Sequence, residues 1–238
     1  MANYVLVHGG AHGGWCWRRV VALLRAAGHD VYAPTLTGLG ERAHLVSPGI
    51  DLDTHIQDVV GVLRYEDLYD VILVGHSYGG MVITGVADRA LSRVGHLVYL
   101  DAAHPGDGQS LEMLTPEFMA EARAQGRIID GVELVVFPDS DSVRHLGVTD
   151  PDDFAWMKDK LTPHPWKCFA QPLRLANEAA VSALPRTDIN CSWRVKMIPP
   201  ERLAVDARHS DRVWQIDSGH DLMITEPEQV VEMLLRLV

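Results

Sequence analysis

Gly75-His76-Ser77-Tyr78-Gly79 is a G-x-S-x-G pentapeptide that follows the apolar run 71–74 (V-I-L-V) and precedes a helical pattern beginning near Gly80. A serine in a tight strand-to-helix turn has its hydroxyl lifted above the sheet, at a helix N-terminus that favours developing negative charge. The flanking positions call for glycine because a Cβ at either would run into neighbouring backbone. A serine hydroxyl is a poor nucleophile alone and needs a base beside it; without one, the same letters describe an ordinary turn with a capping serine. Ser218-Gly219-His220-Asp221 supplies a candidate, lying after a strand-like segment (213–217) and before the last helical pattern. The chain has 12 histidines, so placement has to select among them. In the chain order serine, acid, histidine, the base follows the last strand, which marks His220. Ser77 as nucleophile and His220 as general base point to acyl transfer. His76 must then point elsewhere, into packing or a supporting hydrogen bond.

An acyl-transfer site also needs donors for the oxyanion. His8-Gly9-Gly10 closes the first strand-like segment and opens the glycine-rich loop 9–14. One backbone N–H from such a loop and one from the residue after the nucleophile form the usual pair, here Gly10 and Tyr78. Each such donor is worth about 3 kcal/mol in the transition state. A phosphate loop is the competing reading of 9–14, but neither G-x-G-x-x-G nor G-x-x-x-x-G-K-[ST] is present. His8 and His12 lack further ligands in a metal-binding spacing, so no metal site is assigned.

These residues need a scaffold. Segments 4–8, 29–33, 71–75 and 96–101 are short and apolar, as strands buried on both faces should be. Helical patterns at 15–27, 53–66 and 80–93 alternate with them; on the second, Ile56, Val59, Val60 and Leu63 share one face. Strand-helix alternation predicts an α/β fold, a doubly wound, mostly parallel sheet with right-handed crossovers. The alternation stops after Asp101 and resumes with strands at 188–192 and 213–217 and a closing helix at 226–237. The expected organisation is therefore a core of 1–104 and 186–238 interrupted by a mainly helical, acidic cap at 105–185. Gly9 and His12 from the first loop, with Trp156 and Trp166 from the cap, are expected at the substrate pocket. Phe154, Met157 and Leu161 are further apolar candidates there, or plain core.

The 238 residues are 47% hydrophobic and 22% charged, an ordinary balance for a globular enzyme. A net charge of -11 argues against nucleic acid and against anionic membranes. No segment reaches the roughly 20 apolar residues of a membrane span, and residues 1–3 run straight into a strand with no leader pattern. Three widely spaced cysteines, Cys16, Cys168 and Cys191, form no C-x-x-C pair and fit a reducing, cytoplasmic setting. A homodimer is left open.

The stretches Val5-Leu6-Val7-His8-Gly9-Gly10-Ala11-His12-Gly13-Gly14-Trp15-Cys16-Trp17, Gly75 to Gly80, Val98-Tyr99-Leu100-Asp101-Ala102 and Gly219-His220-Asp221 together resemble the plant methylesterase and hydroxynitrile lyase family and its bacterial esterase relatives. That resemblance implies an α/β-hydrolase fold with a small helical cap, no cofactor, and small carboxylic esters as substrates. It fails at one point. Relatives place an aspartate in the loop after the strand at 188–192, and residues 191–200 here contain no carboxylate. The acid fixes the imidazole tautomer and stabilises imidazolium, which an arginine cannot do. Asp101, at the end of the fourth strand, is the best replacement, a position that one haloalkane dehalogenase group resembles. Asp206, Asp217 and Asp221 are weaker candidates. A hydroxynitrile lyase is the second enzymatic reading, but that branch resembles enzymes with a lysine after the histidine and a threonine in the first loop, where this chain has Asp221 and Gly9. The missing loop acid also leaves a non-hydrolytic small-molecule binder or a cyclase on the same fold as an alternative.

Overall fold

A computed structural model of the chain describes residues 1–136, 146–197 and 210–238. Its main sheet has six strands: β1 (Asn3–Val7), β2 (Asp30–Tyr32), β3 (Val71–His76), β4 (Val94–Leu100), β8 (Arg186–Cys191) and β9 (Arg212–Ile216). They lie in the order β2-β1-β3-β4-β8-β9, every neighbouring pair parallel. The side-chain period of two sorts β1 onto two layers. Val5 and Val7 join a core with α2 (Leu52–Tyr65) and α3 (Gly79–Arg89) on one face. Tyr4 and Leu6 join a core with α1 (Arg18–Ala26) and the C-terminal helices on the other. Both layers are buried because parallel strands leave neither face to water.

Local chemistry sets the helix ends. Asp51 Oδ1 accepts from Thr54 N at 3.0 Å, and Thr54 Oγ1 accepts from Asp51 N at 3.4 Å. This reciprocal cap starts α2, and such a cap contributes on the order of 1 kcal/mol. The first expected helix instead begins as a 3-10 turn, Gly14–Trp17, before α1. The closing helix expected at 226–237 is α11 (Pro227–Leu235), preceded by a short separate helix, α10 (Leu222–Thr225); Pro227 has no N–H to continue a helix, but fits a first turn.

The segment between β4 and β8 carries short helices, α4 (Leu111–Leu114), α5 (Pro116–Ala124), α6 (Pro151–Lys158), α7 (Trp166–Ala170) and α8 (Glu178–Ser182). It also carries a feature that a mainly helical cap does not anticipate: a three-stranded antiparallel sheet of β5 (Arg127–Ile129), β6 (Val132–Val135) and β7 (His164–Pro165). Asp130 (φ 50) and Gly131 (φ 78) make the hairpin between β5 and β6, the Asp-Gly turn that matches strand twist. Pro165 is tolerated because β7 is an edge strand. Phe169 and Cys168 of this segment pack into the α2/α3 core, while Val148 and Met157 pack into the other, so the cap reaches both layers.

Gly80, in the first turn of α3, leaves no room for a side chain. A Cβ there would lie 2.1 Å from the Ala103 carbonyl oxygen, and Ala103 N in turn donates to Ser77 O at 3.0 Å. Gly80→Ala should therefore lower unfolding stability by about 3 kcal/mol, the upper range for overpacking, as read by denaturant titration. Stability equal to wild type would mean that this strand-to-helix junction yields freely.

Candidate active site

Ser77 and Asp101 each follow the last residue of a strand, and those residues, His76 and Leu100, are register partners on β3 and β4. Both have positive φ, 54 and 47, a conformation L-residues adopt at a cost and keep where surrounding structure enforces it. The crowding expected of the elbow is present: a Cβ on Gly75 would meet Gly79 O at 2.6 Å, and one on Gly79 would meet Val7 O at 2.7 Å. Ser77 itself is half-buried.

His220 follows β9, and its Nδ1 is 2.5 Å from Asp101 Oδ2. An ionised carboxylate only accepts, so Nδ1 carries the proton and Nε2 keeps its lone pair. Cys191 ends β8, the strand between β4 and β9, and its N–H donates to Asp101 Oδ1 at 3.1 Å. Its thiol reaches Oδ2 at 3.3 Å, and Arg194 Nε stands 3.8 Å from Oδ1. Burial alone would push Asp101 up; the hydrogen bond and charge of His220, with Arg194 and the Cys191 N–H, outweigh it and hold the carboxyl below its ordinary value. The expected loop after β8 is instead a helix, α9 (Ser192–Met197). Asp217 is engaged with Ser192 Oγ at 2.6 Å and Asp221 with His12; Asp206 lies outside the described residues. His76 points away from the nucleophile: its Nε2 donates to His220 O at 3.0 Å, and the two rings lie 4.6 Å apart. Burial lowers its pKa to about 3, so it stays a neutral support for the His220 loop.

The first loop lies over the elbow, since a Cβ on Gly9 would come 2.9 Å from Ser77 Cβ. Its peptide planes are set by histidines. His8 Nε2 accepts from Leu36 N at 3.0 Å, so its Nδ1 bears the proton that goes to Gly9 O at 2.8 Å. In a trans peptide this turns the Gly10 N–H to the side opposite His8. Ala11 N donates to His164 Nδ1 at 3.2 Å, so that N–H is already taken. Tyr78 is the N-cap of α3, where backbone N–H groups lack intrahelical acceptors. Its phenol is tied behind the site to His55 Nδ1 at 2.9 Å, while His55 Nε2 donates to Thr37 O. Sequence reading missed His164 and Phe169, the latter 3.3 Å from where a Gly10 Cβ would stand and 5.3 Å, ring to ring, from Tyr78. Nothing local marks them; they reach the loop across some 150 residues of chain.

The profile of the alpha/beta hydrolase family matches residues 4–233. The chain belongs to that family. This alpha/beta hydrolase is 39% identical to the carbendazim hydrolyzing esterase of Nocardioides sp. (strain SG-4G), over 100% of both chains. Among solved structures it superposes on polyneuridine aldehyde esterase with a TM-score of 0.81 at 21% identity, covering 100% and 99% of the two chains. A methylesterase from Arabidopsis gives 0.79 at 24%, covering 100% and 98%. At those identities the two structures speak for the fold. The expected kinship with plant methylesterases and bacterial esterases stands.

The pocket residues of this alpha/beta hydrolase need correction. Gly9 does lie against Ser77, as above. His12 is only 2% exposed, with both ring nitrogens taken, so it presents nothing to a substrate. Trp156 packs edge-on against Trp15 at 5.3 Å, under the Arg19 and Lys160 cations. Phe154, Met157 and Leu161 pack with it in the α1 layer: a core role, because α6 turns its apolar side to that layer. Trp166 lines a cavity of about 390 Å³ with Ile50, Glu112, Arg123, Glu133 and Ala170, whose walls include none of Ser77, Gly10, Tyr78 or His220. Two side-chain groups have metal-compatible spacing, His55 with His164 and Cys168, and His76 with His220 and Asp221. Hydrogen bonds take both ring nitrogens of His55 and one each of His164 and His76, while His164 Nε2, His76 Nδ1 and Asp221 Oδ1 are buried without a hydrogen-bond partner among the described residues.

Asp101 and Asp221 are both held below the ordinary aspartate value of 3.8. For Asp221, too, burial opposes the charge, and the charge and hydrogen bond of His12 outweigh it. A depressed folded-state pKa stabilises fully above the unfolded value, and that stability is lost as pH falls through the folded one. Thermal midpoints should therefore drop steeply below about pH 4, and the drop should be shallower in Asp101→Asn. Equal slopes in the two proteins would contradict this account.

Proposed function

We propose that this carboxylic ester hydrolase cleaves small esters through an acyl-enzyme on Ser77, with His220 as general base and Asp101 as the orienting acid. The contact that carries this reading is His220 Nδ1 to Asp101 Oδ2 at 2.5 Å. Absence of a carboxylate after β8 was the ground for a non-hydrolytic pocket, and Asp101 supplies the missing function from β4. His220 Nε2 takes the Ser77 proton as Oγ attacks the acyl carbon. The oxyanion forms opposite the N–H groups of Gly10 and Tyr78. His220 then gives its proton to the leaving alkoxide, and water attacks the acyl-enzyme by the same route in reverse. Three unpaired, buried cysteines support a reducing, cytoplasmic setting. Among the described residues no helix is long and apolar enough to cross a membrane.

A panel of p-nitrophenyl esters, simple methyl esters and carbendazim, the last taken from the relative's name, tests the reading together with a fluorophosphonate probe. Turnover of short esters, with the phosphonyl adduct mapped to Ser77 by peptide mass, is the expected result. Folded protein that neither turns over an ester nor takes the label overturns it.

A further inference from the structure

Ester hydrolysis as described makes no use of a deeply buried ionisable pair beside the first loop. His12 and Asp221 are 2% and 0% exposed. His12 Nδ1 is 2.7 Å from Gly10 O, and its Nε2 is 3.0 Å from Asp221 Oδ2. A neutral imidazole has one N–H and one lone pair. Here one nitrogen faces a carbonyl and the other a carboxylate, and neither partner can donate unless Asp221 is protonated. Both His12 contacts are satisfied when His12 carries both ring protons and Asp221 is ionised, while Asp221 Oδ1 lies buried without a hydrogen-bond partner among the described residues. Burial opposes a charge on each, while each partner favours the charge on the other, and the balance holds His12 above and Asp221 below their ordinary values.

The groups facing the pair do not compete for the proton. Trp15 stacks on the His12 ring at 5.4 Å, and His76 meets it edge-on at 6.0 Å. His76 Nε2 is 3.7 Å from Asp221 Oδ1, but that proton goes to His220 O. The Cys16 thiol near Asp221 is held well above its ordinary value by burial and by that carboxylate. Asp221 follows His220 in the chain, and Gly10 is the oxyanion donor, so the pair joins the two loops on which the chemistry depends.

We propose that His12 is a buried imidazolium held by Asp221 and serves as a positioning residue for the oxyanion loop. This rests on the serine-esterase reading. His12 fixes the Gly10 carbonyl, and the same peptide's N–H, that of Ala11, is fixed by His164. His8 fixes the preceding plane. The Gly10 N–H is thus set between two clamped peptides. If the pair loses the second ring proton altogether, His12 must release either Gly10 or Asp221, and the loop loses its tie to the base.

Two measurements test this. In 15N-labelled wild type, ring proton–nitrogen correlations at neutral pH should show both His12 nitrogens protonated, with the ring assigned through its contact with Trp15 and by its loss in His12→Gln. A bare nitrogen on His12 overturns the proposal, and this readout needs neither a variant nor turnover. In Asp221→Leu, whose side chain can neither accept from nor donate to His12, kcat should fall roughly 100-fold, the scale of an ångström of misplacement, with KM nearly unchanged. Affinity for a trifluoromethyl ketone that mimics the tetrahedral intermediate should fall in step with kcat. Unchanged kcat, or a loss confined to KM, overturns the positioning role. Failure of the underlying esterase reading shows separately, as wild type that does not react with fluorophosphonate.

Discussion

Ser77→Ala should fold as wild type and lose on the order of 10⁶-fold in kcat, the scale seen when a serine hydrolase loses its nucleophile. Folding is expected to survive because the elbow is held through the backbone at this position. The Ser77 carbonyl accepts from Gly80 N and Ala103 N at 3.1 and 3.0 Å, and neither bond involves the hydroxyl. Alanine at φ 54 carries much the same strain as serine. Turnover that remains should be insensitive to fluorophosphonate, since it draws on binding and the oxyanion donors without a covalent step. Steady-state kinetics with a p-nitrophenyl ester, beside a thermal melt, measure both. A variant retaining a tenth of wild-type turnover would remove Ser77 from the mechanism.

Asp101→Asn should cost about 10⁴-fold in kcat, and the reason is the tautomer. The asparagine oxygen can still accept from Cys191 N, which keeps the strand end in place. The amide nitrogen then faces His220 Nδ1 as a donor. His220 has to move its proton to Nε2, the nitrogen that should receive the Ser77 proton. A pH–rate profile separates this from damage to the fold. Raising the pH should restore part of the loss, because hydroxide can replace a misassigned base. Near-native turnover would mean another group orients the imidazole. The effects of the two variants should not add: a Ser77→Ala/Asp101→Asn double variant is expected to match Ser77→Ala alone, because the acid acts only through the base and nucleophile.

Much of this site is written locally. The G-x-S-x-G run sits between an unbroken apolar strand and a helix, so its turn can be inferred from residues within ten positions. His220 is identified by its place after the last strand. Asp101 takes two facts together, a strand end beside the elbow and a stretch, 191–200, without a carboxylate. What local patterns do not carry is contact made by long-range folding. His164 and Phe169 read as cap residues with no signature, yet they bound the glycine-rich first loop. Trp156 and Trp166 have the right chemistry for a pocket, but Trp156 packs in the α1 layer and Trp166 lines a cavity whose walls do not include Ser77, because side-chain direction depends on how the segment docks. The small cap sheet was legible in part: Asp130-Gly131 between Ile128-Ile129 and Val132-Glu133-Leu134 is a hairpin signal. It is easily passed over among the prolines and short helical runs around it.

Residues 146 and 147, within the segment between β4 and β8, touch the backbone on either side of His220. Gly147 (φ 75) and Gly219 stand face to face, each too close for the other to bear a side chain; a Cβ on either would lie 2.3 Å from the other's Cα. Leu146 O accepts from Asp221 N at 2.9 Å. The cap is therefore not an interchangeable lid on a finished engine. A chimera that exchanges residues 105–185 between relatives must match its new host at this glycine pair, and a donor segment with even an alanine there would push the imidazole off its mark while the rest of the barrier-lowering machinery stayed intact.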